Sequence, residues 1–196
     1  MTATRRLGVP VLDPARATPA ATPRDARPGL SAATPAEVAT WVAAQGEPAY
    51  RARQILDGIW RSLAHEGADI RTLPGPLRAG LEEAFRVDTL ADTEVRLSDA
   101  ALTEKALHRL SDSALIESVL MHYPARADQR ERHTLCISSQ AGCAVGCPFC
   151  ATGELGFERD LETAEILDQV RHAARRLTAA DRRLDEAKEA GRNRVI

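Results

Sequence analysis

The sequence is poor in aromatic residues and in long apolar runs. Its 196 residues include two Trp, two Tyr and three Phe, too few for a large exposed platform on which nucleic-acid bases stack. The longest stretch free of Asp, Glu, Lys and Arg is residues 133–153, and its serines, glycines and proline make it too polar to span a membrane. A formal charge of −2 excludes a histone-like polycation, so nucleic-acid binding would need a local basic patch.

Cysteine is scarce as well, and its four residues are close together in the sequence. They are Cys136, Cys143, Cys147 and Cys150. A disulfide framework would spread its cysteines along the chain, so this clustering indicates a metal or redox site. The first 30 residues contain no apolar signal-peptide segment. We therefore expect a reducing, cytoplasmic location and no membrane association.

Composition and periodicity predict an α/β fold with four segments. Residues 1–30, rich in Pro, Ala and Arg, are expected to be a disordered tail. Residues 31–86 read as a small helical domain, with helices from Pro35, over about 49–65 and over about 76–85. Residues 87–130 read as strands and a hairpin with a turn at Asp112-Ser113, and residues 131–196 as a strand, the cysteine loop and a long helix. We expect Asp160 to cap that helix and Gly191 to end it.

The last segment has the order of one βα unit of a parallel sheet. A strand, a loop and a helix are followed by residues 194–196, which look like the start of a further strand. Because such a unit is not closed on its own, the sequence predicts an N-terminal fragment of a larger fold. An inert gene fragment is a further possibility, which the genomic sequence downstream would reveal.

The cysteine loop carries the strongest chemical signal in the sequence. Cys143, Cys147 and Cys150 form a C-x3-C-x2-C run, and Gly142 and Gly146 allow the backbone to curl around a compact inorganic centre. Three ligands leave one coordination position open, which favours an iron–sulfur cluster over a structural zinc site with four ligands. Zinc binding and unmetallated core cysteines remain the alternatives from spacing alone.

The flanks of this loop resemble a known family. The run C-x3-C-x2-C with Phe149 before the last cysteine resembles the radical S-adenosylmethionine (SAM) signature. The segments LCISSQAGC at 135–143 and ATGELGF at 151–157 are similar to the RlmN-type dual-specificity RNA methyltransferases. The resemblance runs from about residue 31 to the end of the chain. It implies a helical N-terminal domain that helps to bind RNA, at residues 31–86, and a β-hairpin leading into the first βα unit of a partial radical SAM α/β barrel.

The resemblance also implies cofactors, substrates and an electron donor. In this family, cysteines at the positions of Cys143, Cys147 and Cys150 bind a [4Fe–4S] cluster whose fourth iron holds SAM. The family methylates C2 of adenine in 23S rRNA and in certain tRNAs through a methyl-cysteine intermediate. An electron donor such as flavodoxin is the implied redox partner. Because the SAM-binding segment and the methyl-carrying cysteine are expected to be missing here, we expect this chain alone not to turn over.

Two further residues acquire a role only from the resemblance. On the residues alone, Cys136 reads as a small buried hydrophobe in a strand whose face would line a barrel interior, and Glu117 as an edge carboxylate that reaches water. The resemblance implies that Cys136 is the redox cysteine that forms a disulfide with the methyl-carrying cysteine, and that Glu117 is the proton acceptor. No cysteine follows Cys150, so that partner thiol is absent from this sequence.

Other functions remain compatible with the sequence. The sister family that methylates adenine C8 has nearly the same cysteine loop, and a zinc-stabilised RNA-binding module would use all four thiols. Arg51, Arg53 and Arg61 could form an RNA-contacting helix face or simply a solvated one. We expect the arginines of the long helix only to solvate it: Arg171, Arg175, Arg176, Arg182 and Arg183. The five histidines show no metal-ligand spacing and are expected to be surface or packing residues.

Overall fold

A computed structural model describes residues 23–98, 100–145, 147 and 156–192, with side chains described in the long helix as far as residue 179. Helices and antiparallel strands follow one another along the chain. The helices are α1 (Pro35–Ala44), α2 (Tyr50–Trp60), α3 (Gly75–Ala84) and α4 (Thr163–Arg192). The strands are β1 (Asp92–Ser98), β2 (Thr103–Arg109), β3 (Leu115–Tyr123), β4 (Arg132–Cys136), β5 (Gln140–Gly142) and β6 (Phe157–Asp160).

The first three helices lie where the apolar periodicity predicts them. Thr34 caps α1 through a capping box in which its side chain and that of Glu37 each bind the other's backbone amide. The second helix is shorter than predicted and ends at Trp60, because the chain then turns with Leu63 in a left-handed conformation. Apolar side chains from all three helices bury one shared core. Burial of this core stabilises the helical segment more than intrinsic helix propensity does.

Four strands form one antiparallel sheet in the order β1-β2-β3-β4. Its register places Leu107 opposite Glu117 and Val119 opposite Cys136. Strands β5 and β6 form a separate antiparallel pair. Every strand pair in the part of the chain described is thus antiparallel except for an isolated bridge between Gly29 and Arg86. The parallel βα barrel unit stays a prediction.

Helix α4 covers one face of the four-stranded sheet, and we call the opposite face the outer face. Ala106, Ser118 and Leu120 of the covered face pack near Ala173 of α4. The contact layer is partly polar, because the His108 ring lies edge-on against His172 with centroids 5.0 Å apart. Burial lowers the pKa of both imidazoles to about 4. His108 is fully buried and hydrogen-bonds Thr93 and Ser118, which bears out the packing role expected for it.

Packed structure is found on the N-terminal side of the boundary predicted at residue 30. The Leu30 amide donates to the Arg86 carbonyl at 2.9 Å, and Leu30 itself is 1% exposed. Gly29 approaches α4 so closely that a Cβ there would lie 2.2 Å from Cβ of Ala164. Residues 29 and 30 were expected to belong to the tail but are part of the packed structure, whereas residues 1–22 lie outside the described residues. Sequence composition alone does not reveal this packing, since it depends on a contact between Gly29 and Ala164, which are 135 positions apart in the chain.

Two expectations about the long helix are wrong. Asp160 does not cap it: Asp160 ends β6 and accepts a hydrogen bond from Gln140 Nε2 at 2.8 Å, while the helix begins at Thr163. Arg171 does not solvate the helix, because it is 1% exposed. Its guanidinium donates to the carbonyls of Ile59, Ala64 and Val87 and to the carboxylate of Asp168. Arg182 and Arg183 lie outside the residues whose side chains are described.

Candidate functional site

Glu117 and Cys136 lie together on the outer face. Cys136 is directly opposite Val119, and Glu117 is two residues from Val119 along β3, so the two side chains occupy diagonal positions on neighbouring strands. Such positions are about 7–8 Å apart. Strand alternation predicted the face that Glu117 occupies, with Leu115, Val119 and Met121, and the register confirms it. A carboxylate and a thiol are thereby placed on one surface.

The surroundings of these two side chains are more open than the sequence suggests. The Glu117 carboxylate lies 2.6 Å from the Lys105 ammonium and keeps 39% of its side chain exposed. Cys136 is exposed in the described part of the chain, which contradicts its reading as a small buried hydrophobe, whereas its orientation toward a barrel interior stays a prediction. Both groups are accordingly reachable from solvent in the part of the chain described.

Ser138 and Gln169 fix the end of the strand that carries Cys136. The Gln169 side chain accepts a hydrogen bond from the Ser138 amide and donates one to the Ser138 carbonyl, both at 2.9 Å. The Ser138 hydroxyl donates to the Glu117 carbonyl at 2.8 Å. Gln169 is fully buried. Because one buried amide satisfies both polar groups of a single residue, α4 holds the backbone just beyond Cys136 in place.

The two ends of the cysteine loop are clamped together. β5 precedes the loop and β6 follows it, and the Cys143 amide donates to the Gly156 carbonyl at 2.8 Å. Gly142 has φ +71, and a Cβ there would lie 1.9 Å from the Gly156 oxygen. Only glycine tolerates both the left-handed backbone and this close approach. The conformational freedom predicted for Gly142 is thus used, whereas Gly146 lies outside the described residues.

A partly buried ionic network connects this clamp to the neighbouring elements. Arg159 on β6 donates to both carboxylate oxygens of Glu165, at 2.8 and 2.9 Å, and to Asp112 at 2.6 Å. Burial by itself would raise the pKa of Glu165, but hydrogen bonds from Arg159 and from the Glu162 amide outweigh it and lower that pKa. Hydrogen bonds to the carboxylates of Glu165 and Asp112 raise the pKa of Arg159. The network ties β6 to α4 and to the β2–β3 turn.

The described thiols of the loop fit a metal centre in type and setting. Cys143 and Cys147 are half-buried, and neither they nor Cys136 form a disulfide in the described part. Thiolates on a short loop that is anchored at both ends suit the ligation of an iron–sulfur cluster. Cys150, the third predicted ligand, lies outside the described residues. Among the residues described, no group of three metal-ligating side chains is formed.

The arginines proposed for RNA contact on α2 are largely neutralised. Arg53 and Arg61 are highly exposed, but both pair with Asp57 of the same helix, at 3.6 and 3.1 Å. Arg51 is held by Gln54 and by the Thr72 carbonyl. This face therefore looks more like a solvated ionic surface than a free basic patch.

Sequence reasoning missed Gln169, Arg159 and Glu165. All three are polar residues within or next to the long amphipathic pattern of α4, where charged positions are normally assigned to solvent. The apolar positions 166, 167, 170, 173 and 174 were assigned to the buried face, yet Val170 is 41% exposed. A useful signal was the polar spacing Glu165, Asp168, Gln169 and Arg171, which recurs at helical intervals on one side of α4.

Comparison with known proteins gives this geometry a context. A probable dual-specificity RNA methyltransferase RlmN from Roseiflexus sp. is 44% identical over 154 residues, which cover 79% of this chain and 37% of that protein. The chain belongs to the RlmN-type family. The probable RlmN of Streptomyces griseus subsp. griseus is also 44% identical, over 70% of this chain and 36% of its own length. No protein-family model matches the chain.

A solved structure supports the relation to RlmN-type proteins. The crystal structure of a radical SAM methyltransferase from Sphaerobacter thermophilus aligns with a TM-score of 0.72 and 42% sequence identity, over 79% of this chain and 43% of that one. This RlmN-type chain thus spans little more than a third of the curated relatives, and it matches their N-terminal part. Within the described residues, no helix is both long and apolar enough for a membrane span.

Proposed function

We propose that this chain forms the N-terminal part of a radical SAM methyltransferase that methylates C2 of adenine in 23S rRNA and tRNA through a methyl-cysteine intermediate. The observation that carries the proposal is the arrangement of its thiols. Two loop cysteines follow a glycine clamp, and a separate exposed cysteine lies beside a carboxylate on the adjoining sheet face. The relatives named RlmN support the same assignment over most of the chain. A SAM molecule and an electron donor such as flavodoxin complete the proposal, in the cytoplasm.

In this proposal, three thiolates bind a [4Fe–4S] cluster. Cys143, Cys147 and Cys150 are the ligands, and the bound cluster supplies the electron for reductive cleavage of SAM. The protein contributes the anchored loop, since the Gly142–Gly156 approach fixes where the first ligand starts.

Glu117 and Cys136 have the remaining roles. Glu117 accepts a proton at its carboxylate, which the Lys105 ammonium faces at 2.6 Å. Cys136 supplies the thiolate that pairs with the methyl-carrying cysteine. Gln169 and the Ser138 hydroxyl set the separation of these two groups, because together they hold the strand end that follows Cys136 to β3 and to α4. The helical segment is proposed to help bind RNA.

The first test is anaerobic reconstitution of the 196-residue chain with iron and sulfide, followed by metal analysis and Mössbauer spectroscopy. We expect four irons per chain. Replacing Cys143, Cys147 or Cys150 by alanine should abolish binding, while the matched variant Cys136→Ala should retain the cluster. Stoichiometric zinc held by all four cysteines would instead support a zinc-stabilised RNA-binding module and overturn the proposal.

A second test addresses the position of the methyl group. This chain can replace the matching N-terminal part of the Roseiflexus relative, to which it is 44% identical. The chimera is incubated with SAM, a reductant and a 23S rRNA fragment, and the nucleosides are analysed by mass spectrometry. We expect 2-methyladenosine from the chimera and none from its Cys143→Ala variant. Formation of 8-methyladenosine would favour the sister family.

A further inference from the structure

The β3–β4 hairpin has a groove at the end where its loop joins the two strands, and the proposed chemistry does not use this groove. Its volume is about 450 Å³, within the range of small-ligand sites. Its lining includes Leu102, Met121, Tyr123, Arg126, Gln129 and Arg132. We propose that this groove binds a single-stranded RNA segment that flanks the methylated nucleotide. The inference rests on the proposed function, because it assigns a second contact to the same substrate.

The groove contains an aromatic side chain with a stacked cation. The Arg132 guanidinium carbon lies 4.4 Å from the centroid of the Tyr123 ring, and the two residues are directly paired across β3 and β4. The Tyr123 hydroxyl also contacts the Met121 sulfur at 3.7 Å. Tyr123 nevertheless keeps 39% of its surface exposed. An exposed ring with a guanidinium over it, and with its hydroxyl on a sulfur, is a suitable surface for a nucleobase to stack on.

The hairpin also offers cations that no carboxylate neutralises. Arg126, Arg130 and Arg132 form no ion pair with any residue that the structure describes, in contrast to Arg96, which pairs with Glu94 at 2.9 Å. The hairpin tip is rigidly formed, since residues 126 and 129 exchange both backbone hydrogen bonds. Asp128 and Glu131 reduce the net charge of residues 124–132 to +1, but neither lines the groove. Free guanidinium groups at a fixed position favour phosphate contacts.

The position of the groove connects it to the reaction site. Tyr123 shares the outer face with Glu117, and Arg132 shares it with Cys136, by strand alternation. Cys136 lies four positions after Arg132 on β4, a distance of about 13 Å along the strand. A nucleotide whose base reaches Cys136 would thus place a neighbouring nucleotide at the groove. The exposed Tyr123 ring favours an RNA strand over an acidic peptide as the occupant, because a nucleobase can stack on it.

The test is binding of a 12-nucleotide single-stranded RNA of adenine and uracil, carrying fluorescein, to the full 196-residue chain by anisotropy at several salt concentrations. The double variant Arg126→Ala/Arg132→Ala should reduce the slope of log affinity against log salt by about 1.4, as expected for two lost phosphate contacts. Tyr123→Ala should weaken binding about five-fold or more, and Tyr123→Phe should restore most of it. Arg96→Ala, at the opposite edge of the same sheet, should bind RNA like the original chain.

Several results would overturn the inference. They are no RNA binding by the original chain, an unchanged salt slope in the double variant, or an equal loss in Arg96→Ala. Heparin serves as an anion without bases: if Tyr123→Ala weakens heparin and RNA binding equally, nucleotide stacking is wrong. Circular dichroism verifies that these surface variants fold. Iron incorporation is measured separately. A chain that binds iron but shows no RNA binding at the groove would overturn this inference alone, whereas a chain that binds no iron would overturn the proposed function.

Discussion

The stability of the chain should depend on Arg171 far more than on its helical neighbour Arg176. Arg171 is 1% exposed and contacts three backbone carbonyls and the fully buried Asp168. The Arg171→Met variant leaves the Asp168 charge buried without its cation. Removing one partner of a buried pair costs about 3–5 kcal/mol, a large part of the roughly 5–15 kcal/mol that stabilises a typical domain. We therefore expect a large loss in the free energy of unfolding.

Arg176→Met is the matched control. Arg176 keeps 37% of its side chain exposed and pairs with Glu104 at 2.8 Å. Such partly exposed pairs contribute about 1 kcal/mol or less. Urea unfolding followed by the fluorescence of Trp41 and Trp60 and by circular dichroism gives both values. The double variant Arg171→Met/Asp168→Leu should recover part of the loss, because it removes the unpaired charge as well.

Equal losses for the two single variants would refute this reasoning. So would a loss below about 1 kcal/mol for Arg171→Met, since that value belongs to an exposed pair. Either result would mean that the contacts of Arg171 with the carbonyls of the helical segment contribute no net stability.

Three further perturbations test the clamp, the buried amide and the buried imidazoles. Gly142→Ala should lower the iron content of the reconstituted chain, whereas Gly46→Ala, which has the same left-handed backbone in open space, should leave it unchanged; equal iron in both variants would contradict the clamp. Gln169→Leu leaves two backbone groups unsatisfied at a cost of about 1–3 kcal/mol each, and it should speed the reaction of Cys136 with a thiol reagent. Because burial lowers the pKa of His108 to about 4 from 6.5, the unfolded chain binds more protons between these values. The contribution of His108 to stability should then fall by roughly 2–3 kcal/mol between pH 7 and pH 4.5, and since His172 has the same lowered pKa, His108→Gln should remove about half of the pH dependence due to the two imidazoles in urea titrations.

Local sequence signals predicted most of the secondary structure. The Thr34-Pro35 start of α1 is a short-range capping pattern, and it correctly predicts both the N-cap residue and the first residue of the helix. The alternation in β3 correctly placed Glu117 beside Val119 and Met121. Both signals depend only on neighbouring residues, so they can be recognised without knowledge of the fold. The recognition of the cysteine loop depended on residue identity and spacing in the same way.

The contacts that assemble the site were not visible in the sequence. β5 and β6 are three and four residues long, and their pairing depends on a close approach between Gly142 and Gly156 across the loop. The buried face of α4 is polar where periodicity predicted apolar residues, because Gln169 and Arg171 satisfy backbone groups of distant segments. Such partners lie 31 to 112 positions away in the chain, beyond the range of any periodic pattern.

Helix α4 is hydrogen-bonded both to the helical segment and to the strand that carries Cys136. Gln169 hydrogen-bonds the backbone just beyond Cys136, and two positions later Arg171 donates to backbone carbonyls of the helical segment. A displacement of the helical segment on contact with a large substrate would be passed through this single turn of helix to the thiol strand. The separation between the surface that captures a substrate and the cysteine that acts on it is accordingly set by side chains of one helix, with no flexible linker between them.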